Sequence, residues 1–186
     1  MPNHLVSRDA CALLIVDVQE RLMPVIHEAA GVLDRIALLA DAARRLGIPV
    51  LVTEQYPKGL GVTVDTIRAA VPDYDPVVKV EFSCVPVPAF AARWSALGRS
   101  QVVLAGVEAH VCVAQSALDL AAAGVQVYVP ADATSSRRPL DRAIALDRMR
   151  GAGVTVTTAE AVLFEWLRRV GTEEFKAVSQ RLKASG

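Results

Sequence analysis

Three residues that could form a nucleophilic site lie in or beside short apolar runs of the sequence. Asp17 follows the run Cys11–Val16, Lys79 interrupts the run VVKV, and Cys112 follows the run Val102–Ala105 after a short polar break. A thiol can attack an electrophilic carbon, a carboxylate can accept its proton, and a nearby ammonium favours the charged forms of both. The three residue types together therefore indicate covalent catalysis by a cysteine, provided that the fold brings them to one place.

Each of these residues also has an ordinary structural interpretation, and the residues by themselves leave both open. Asp17 could be a cap or turn residue, Lys79 could lie on an edge strand with its ammonium reaching solvent, and Cys112 could be a small core residue. Cys11 starts a strand and Cys84 lies in a loop, whereas Cys112 falls in the first turn of a predicted helix. Free backbone amides there are expected to lower the pKa of a thiol and to hold an oxyanion.

The remaining candidate groups give weaker signals. The histidines His4, His27 and His110 are far apart and lack the spacing of a zinc site, and a loop or cap role suits His110 better than a catalytic one. The glycine-containing segments GLGVTV and GAGVTV do not match a dinucleotide-binding fingerprint. The sequence therefore predicts neither a metal nor a cofactor.

The elements that must position these residues are predicted from hydrophobic patterning. Six short β-branched runs alternate with longer stretches rich in alanine, leucine and arginine, and Gln55–Pro76 is the longest irregular region. Continuous apolar strands are typical of a sheet that is buried on both faces, and crossovers of this length predict parallel pairing. The fold class is therefore a doubly wound α/β domain. Ligands of such sheets bind beyond the carboxyl ends of the strands, which is where Asp17, Lys79 and Cys112 are expected.

Composition bounds the class of protein. The 186 residues are 53% hydrophobic, and Lys+Arg and Asp+Glu are both 20, so we expect one domain over residues 1–186, no nucleic-acid partner and no membrane partner. The N-terminus lacks the features of a signal peptide. Three widely spaced cysteines argue against a disulfide framework, which favours a cytoplasmic location.

At this point the sequence resembles a known family. The segments LLIVDVQERL, VVKVEFS and VVLAGVEAHVCVAQSALDLAAAGVQVYVPADATSSR are similar to the isochorismatase-like hydrolases, also called the cysteine hydrolase superfamily. The resemblance extends roughly from Ala10 to Arg168, and VTEQYPKGLG is similar to the isochorismatase domain-containing branch.

The resemblance implies a three-layer fold with a six-stranded parallel sheet in the order 3-2-1-4-5-6, and a Cys-Asp-Lys triad of Asp17, Lys79 and Cys112. Since the strand of Lys79 lies two places from the first strand, its side chain must reach inward over about 10 Å. The resemblance also implies a cis peptide bond at Val107–Glu108. The backbone N–H groups of Glu108 and Cys112 would then form an oxyanion hole.

Two departures from family patterns shape the functional expectation. The region after the second strand lacks the further histidine of metal-binding nicotinamidases, so we expect neither a metal nor nicotinamide as substrate. Isochorismatases proper commonly lack the cysteine, so Cys112 favours hydrolysis of an amide-like C–N bond through a thioester-type intermediate.

Two alternatives stay open: an isochorismate-type vinyl ether hydrolase with Asp17 as acid, and a non-catalytic interaction module. We also expect a small-molecule substrate and a homo-oligomer, dimeric or higher. The pocket-wall candidates are Gln19, Tyr56, Phe82 and Val111.

Overall fold

A parallel sheet between two layers of helices forms the centre of the protein, in a computed structural model that describes residues 5–71 and 73–184. Within that part of the chain the strands are β1 (Cys11–Val16), β2 (Val50–Gln55), β3 (Val77–Lys79), β4 (Gln101–Val107), β5 (Gln126–Pro130), β6 (Thr134–Ser135) and β7 (Thr155–Thr157). Six of them form a continuous path in the order β3-β2-β1-β4-β5-β7, and the two-residue β6 pairs with the end of β4. The predicted order is confirmed, with β7 as the predicted sixth strand and β6 as a short addition.

The strands are apolar because both faces of the sheet are covered. All six residues of β1 and all seven of β4 are buried, as expected for central parallel strands. The helices are α1 (Ala29–Leu46), α2 (Pro57–Leu60), α3 (Asp65–Ala70), α4 (Pro88–Leu97), α5 (Ala114–Ala122), α6 (Pro139–Gly151), α7 (Ala159–Leu167) and α8 (Glu173–Ala184). One core lies between the sheet and α1, α7 and α8, and the other lies between the sheet and α4, α5 and α6.

The helix ends follow the sequence closely. Gly47 adopts a left-handed conformation at the end of α1, with φ of 68°, which a residue without Cβ adopts readily. Thr158 accepts a hydrogen bond from the amide of Ala161 at the start of α7, and Thr172 accepts one from the amide of Phe175. Both threonines are therefore N-caps, a role in which threonine is favoured.

Two local predictions need correction. The region Gln55–Pro76 is not a long irregular loop, since it contains α2 and α3, and Pro72 lies outside the described residues. The predicted helix that carries Cys112 in its first turn does not begin as an α-helix, because Ala109–Val113 forms a π-helical turn that leads into α5. These three elements have 4, 6 and 5 residues and are shorter than a periodicity signal can register.

Parallel register brings the ends of the central strands together. Val16, the last residue of β1, pairs with Thr53 on one side and with Gly106 on the other. Gln55 pairs with Lys79 one strand further out. The residues that follow β1, β2 and β4 therefore lie together at the carboxyl-terminal end of the sheet.

Candidate active site

Asp17 is buried at the point where the chain leaves β1. Its backbone takes a left-handed conformation with φ of 54°, and its exposed fraction is 0%. One carboxylate oxygen, Oδ1, accepts a hydrogen bond of 2.6 Å from the hydroxyl of Thr53, and the other, Oδ2, accepts one of 2.7 Å from Lys79 Nζ. Both oxygens are therefore paired, which is what a buried carboxylate requires.

Lys79 reaches Asp17 from the edge strand by crossing the end of β2. Its Nζ donates to Asp17 Oδ2 and to Gln55 Oε1, both at 2.7 Å. The carbonyls of Glu81 and Phe82 lie 3.3 and 3.2 Å from the same nitrogen. Since the residue is 2% exposed, the interpretation of Lys79 as an edge lysine with a solvated ammonium is wrong.

Cys112 lies in the π-helical turn, 6% exposed, close enough to Asp17 and Lys79 for both charges to act on its thiol. Burial raises the pKa of Cys112 from 9.0 to about 12, the negative charge of Asp17 raises it further, and the positive charge of Lys79 opposes the rise. The expectation of a lowered thiol pKa is therefore wrong. The resting form is a neutral thiol beside an ion pair.

The other two cysteines are enclosed more completely. Cys11 and Cys84 are both 0% exposed, and all three thiols are free. Burial raises the pKa of Cys11 to about 12 and that of Cys84 to about 11. Cys84 lies near the candidate site, since the charges of Lys79 and Asp17 both act on its thiol. Cys112 is thus the one thiol with measurable exposure.

The segment before Cys112 has an unusual backbone. The Val107–Glu108 peptide bond is cis, as the family resemblance implied. Among the hydrogen bonds that the described residues make in loops, turns and caps, none is donated by the amide of Glu108 or Cys112. The side chain of Glu108 is held elsewhere, because its Oε2 accepts from Arg137 N at 2.9 Å and from Arg137 Nε at 3.0 Å. What Glu108 can offer the site is therefore its backbone.

Gly106 allows β4 to approach the end of β1 at this point. Its φ is 129°, and a Cβ at this position would lie 2.2 Å from the carbonyl oxygen of Val16. A side chain there would push the two strands apart at the point where Asp17 leaves the sheet. The glycine therefore sets the distance between the segment that carries Asp17 and the segment that carries Cys112.

Two residues of the candidate site were not identified from sequence. Thr53 binds Asp17, and Gln55 binds Lys79. The signal that could have found them is the alternation of a strand, because Thr53 and Gln55 project to one face and Glu54 to the other. Glu54 instead holds a loop, since its Oε1 accepts from the amide of Thr63 at 2.6 Å and from the hydroxyl of Tyr74.

The four pocket-wall candidates differ in exposure. Tyr56 and Phe82 are both 53% exposed, and Val111 is half-buried. Gln19 is fully buried, and its amide binds backbone groups: Oε1 accepts from Gln55 N at 2.8 Å, and Nε2 donates to the carbonyls of Gln55 and Gly61 at 3.0 and 2.6 Å. Contact of these residues with a substrate stays a prediction.

The two histidines of the described residues, His27 and His110, do not join this cluster. His110 Nδ1 lies 2.9 Å from Ser136 Oγ, His27 is close to Glu28, and His4 lies outside the described residues. Across residues 5–71 and 73–184, no group of three His, Cys, Asp or Glu side chains could hold a metal ion. In the same residues, no helix has the length and apolar character needed to cross a membrane.

Sequence comparison finds one family along most of the chain. A profile of the isochorismatase domain matches residues 11–161. Isochorismatase domain-containing protein 1 of Salmo salar is 44% identical over 174 residues, which cover 91% of this chain and 59% of that protein. The chain thus spans less than two thirds of that relative. Isochorismatase domain-containing protein 2 of Danio rerio is 38% identical over 176 residues, covering 95% of this chain and 88% of the relative.

Solved structures give the same fold. The MAR1 ribonuclease of Caenorhabditis elegans has a TM-score of 0.90 at 36% identity, covering 96% of this chain and 92% of that one. YcaC of Pseudomonas aeruginosa, solved with hexane-2,5-diol and covalent acrylamide, has a TM-score of 0.92 at 26% identity, covering 100% and 95%. YcaC of Escherichia coli, described as an octameric hydrolase of unknown specificity, has a TM-score of 0.88 at 26% identity, covering 100% and 90%.

Proposed function

Because the chain belongs to the isochorismatase family of hydrolases, we propose that it is a small-molecule cysteine hydrolase with Cys112, Asp17 and Lys79 as its catalytic residues. The observation that carries the proposal is the buried Asp17–Lys79 ion pair, with 2.7 Å between Nζ and Oδ2, whose charges act on the thiol of Cys112. A buried pair is a weak source of stability. Its position beside a nucleophile supports a catalytic role.

Asp17 is the general base of the proposed reaction. The resting thiol is neutral, so attack requires that its proton leave as the C–S bond forms, and the proposed acceptor is the Asp17 carboxylate, whose charge acts on this thiol. The proton then passes from Asp17 to the leaving nitrogen, the C–N bond breaks, and a thioester remains on Cys112. Water gives its proton to Asp17, attacks the thioester and releases the acid, and the thiol recovers a proton.

Lys79 and the backbone stabilise the charges that develop. Lys79 holds the Asp17 carboxylate in place, and its positive charge favours the sulfur as it becomes anionic. The amides of Glu108 and Cys112 are proposed as the oxyanion hole, which is supported by the absence of other acceptors for them in the loops, turns and caps of the described residues. Gln19, Tyr56, Phe82 and Val111 are proposed as pocket-wall residues.

An amide-like substrate is the favoured class. The covalent acrylamide in Pseudomonas aeruginosa YcaC supports a reactive nucleophile in a protein of this fold. No metal or cofactor is needed for the proposed steps. Vinyl ether hydrolysis with Asp17 as acid is a second candidate, and it differs in requiring no thiol. Catalytic inactivity, as in an interaction module, is disfavoured because Lys79 and Asp17 occupy buried positions that a scaffold could fill with apolar residues.

An RNA substrate is a further candidate, because a structural neighbour at 36% identity is named a ribonuclease. The balanced composition, with 20 basic and 20 acidic residues, argues against the basic footprint of a nucleic-acid enzyme. The small-molecule proposal is therefore retained, and RNA is included in the test below.

The oligomer and the location are proposed on separate grounds. The octameric YcaC of Escherichia coli supports a homo-oligomer for this chain. The cysteine content supports a cytoplasmic location, since the three thiols are free.

Turnover of a substrate panel tests the proposal. Wild type, Cys112→Ala and Cys84→Ala would be incubated with primary amides, cyclic imides, a vinyl ether and a single-stranded RNA, and stalled reactions would be analysed by mass spectrometry. We expect amide or imide hydrolysis, an acyl adduct on Cys112, and a loss of about a thousandfold or more in Cys112→Ala with Cys84→Ala close to wild type. Full activity of Cys112→Ala on the vinyl ether, or cleavage of RNA alone, would overturn the proposal.

A further inference from the structure

The outer face of α6 carries two apolar side chains in open solvent. Leu140 and Ile144 are 68% and 58% exposed and lie one helical turn apart. Single exposed apolar residues are ordinary on a protein surface. Ile144 of this pair borders a groove, which distinguishes the face from scattered exposed residues.

The groove runs between α6 and the start of α5. It is a cavity of about 230 Å³ lined by His110, Ala114, Asp141, Ile144, Ala145 and Arg148. Its floor consists of two small alanine side chains, while Ile144 stands at its rim. The face therefore combines an apolar projection with a depression that could receive a side chain of similar size.

The charges on α6 separate into two groups. Arg142 is used internally, since it donates to the carbonyls of Thr134 and Ala131, and Asp147 pairs with Arg150. Asp141 and Arg148 remain at the groove, and within the described residues neither takes part in an ion pair. Seven residues, or about two turns, separate them, so both point to the same side of the helix.

This arrangement is complementary to itself. If a second α6 runs antiparallel across the first, with the twofold axis beside Ile144, Asp141 of each copy faces Arg148 of the other. The two Ile144 side chains meet at the axis beside the alanine-lined grooves. A twofold interface requires this reciprocity, in which residue i contacts j and j contacts i.

We propose that a second copy of this chain packs against the α6 face, with Leu140 and Ile144 as its apolar centre and two reciprocal Asp141–Arg148 ion pairs. This inference rests on the proposed homo-oligomer and names the surface that forms it. Because His110 lines the groove and lies two residues before Cys112, the partner would cover the surface next to the turn that carries the nucleophile.

The edge strand β3 is the competing surface. Val78 and Val80 are 54% and 69% exposed there. The strand has three residues, and the exposed charged residue that follows it is Glu81. A strand this short that is followed by a charged residue is a poor template for pairing with another chain, whereas two α6 faces bring opposite charges together.

Sedimentation velocity over a range of protein concentrations tests the proposal. The variants are Asp141→Arg, Arg148→Asp, the charge swap with both changes, Ile144→Glu, and Val78→Glu as the matched control on β3. Circular dichroism melts establish that each variant folds. We expect wild type at a multiple of 19.8 kDa, and a dissociation constant at least tenfold higher for Ile144→Glu and for either charge reversal, which corresponds to about 1.4 kcal/mol. The charge swap should restore assembly, and Val78→Glu should assemble as wild type does.

The outcomes distinguish the existence of an oligomer from the assignment of its interface to the α6 face. A monomeric wild type at all concentrations would overturn both the oligomer and the α6 face. An assembled wild type whose association is unchanged by Ile144→Glu would overturn only the α6 face, and dissociation by Val78→Glu would assign the interface to β3. Failure of the folded charge swap to recover would overturn the reciprocal ion pairs. Substrate turnover in a folded, dissociated variant would be scored separately, since it tests the catalytic proposal alone.

Discussion

Lys79 Nζ lies 2.7 Å from Asp17 Oδ2, and both side chains are 0% exposed although their strands are not neighbours. The lysine crosses β2 to reach the carboxylate, and Gln55 from β2 binds it on the way. Two charges removed from water in this manner must compensate each other. The ion pair therefore connects the edge strand β3 to the end of the central strand β1 at the proposed active site.

The buried ion pair predicts a non-additive effect on stability. Lys79→Met should lower the free energy of unfolding by about 3–5 kcal/mol, because it leaves the Asp17 carboxylate buried without its cation. The double variant Asp17→Asn/Lys79→Met should recover part of this loss, since no buried charge remains. Urea unfolding of both variants measures the difference. A double variant less stable than Lys79→Met would contradict the charge explanation.

The charge of Asp17 predicts opposite changes in thiol acidity and turnover. Burial is the largest cause of the raised pKa of Cys112, and the charge of Asp17 is the next. Asp17→Asn should therefore lower the pKa of the thiol below about 12 while abolishing hydrolysis, because the base is lost. Thiolate absorbance in a Cys11→Ser/Cys84→Ser background measures the pKa. Unchanged acidity in Asp17→Asn would show that the carboxylate does not act on the sulfur.

The buried thiols predict a loss of stability in alkali. Their pKa values rise from 9.0 in an ordinary environment to about 11 for Cys84 and about 12 for Cys11 and Cys112. Above pH 9 the unfolded chain releases these protons while the folded chain keeps them, so the free energy of unfolding falls as pH rises toward 11.

Each thiol contributes a slope of about 1.4 kcal/mol per pH unit within its window. Cys84→Ala should therefore reduce the total slope between pH 9 and 11 relative to wild type. Urea unfolding at several pH values provides the measurement. Identical slopes for the two proteins would contradict the assignment to Cys84, and the same comparison applies to Cys112→Ala.

The hydroxyl of Thr53 predicts a positioning effect on catalysis. Thr53→Val keeps the shape of the side chain but removes the 2.6 Å hydrogen bond to Asp17 Oδ1. An unsatisfied carboxylate oxygen should lower the free energy of unfolding by about 1–3 kcal/mol and reduce kcat more than it raises KM. Thr53→Ser, which keeps a hydroxyl, is the control and should retain most of both properties. Equal activity of the valine and serine variants would remove Thr53 from the site.

The close approach at Gly106 predicts a large effect from one methyl group. Gly106→Ala places Cβ 2.2 Å from Val16 O at a φ of 129°, so the strands must separate, and we expect a loss of about 3 kcal/mol or more. Gly31→Ala is the matched control, because its Cβ meets nothing within 4 Å in helix α1. That variant should gain up to about 1 kcal/mol. Similar melting temperatures for the two variants would contradict the proposed role of Gly106.

The sequence predicts which candidate residues lie together better than it predicts what surrounds them. Asp17 and Cys112 were proposed because each follows a buried parallel strand at the end of the sheet where ligands bind, and Lys79 was proposed because it interrupts an apolar run. Their catalytic roles stay predictions. The strand order came from family resemblance, since periodicity carries no information on which strands pair. Thr53 and Gln55 were missed because hydroxyl and amide side chains at a strand end have many structural uses.

The direction of the Cys112 pKa shift could not be predicted from the sequence either. The position of the thiol at the start of a helix predicted a lowered pKa. The shift depends instead on how far the surrounding chain excludes water and on how close Asp17 comes, both of which are tertiary quantities.

The bidentate contact of Gln19 lets the sheet continue past the point where β1 ends. Its amide accepts from the N–H of Gln55 and donates to the carbonyl of the same residue, which is how a neighbouring strand would satisfy that backbone. The Gln19 side chain thus replaces the backbone hydrogen bonds that a further residue of β1 would make with β2. The backbone of Asp17 still donates its N–H to the carbonyl of Thr53 at 3.2 Å and then turns at a φ of 54°. Gln55 meanwhile keeps its place opposite Lys79.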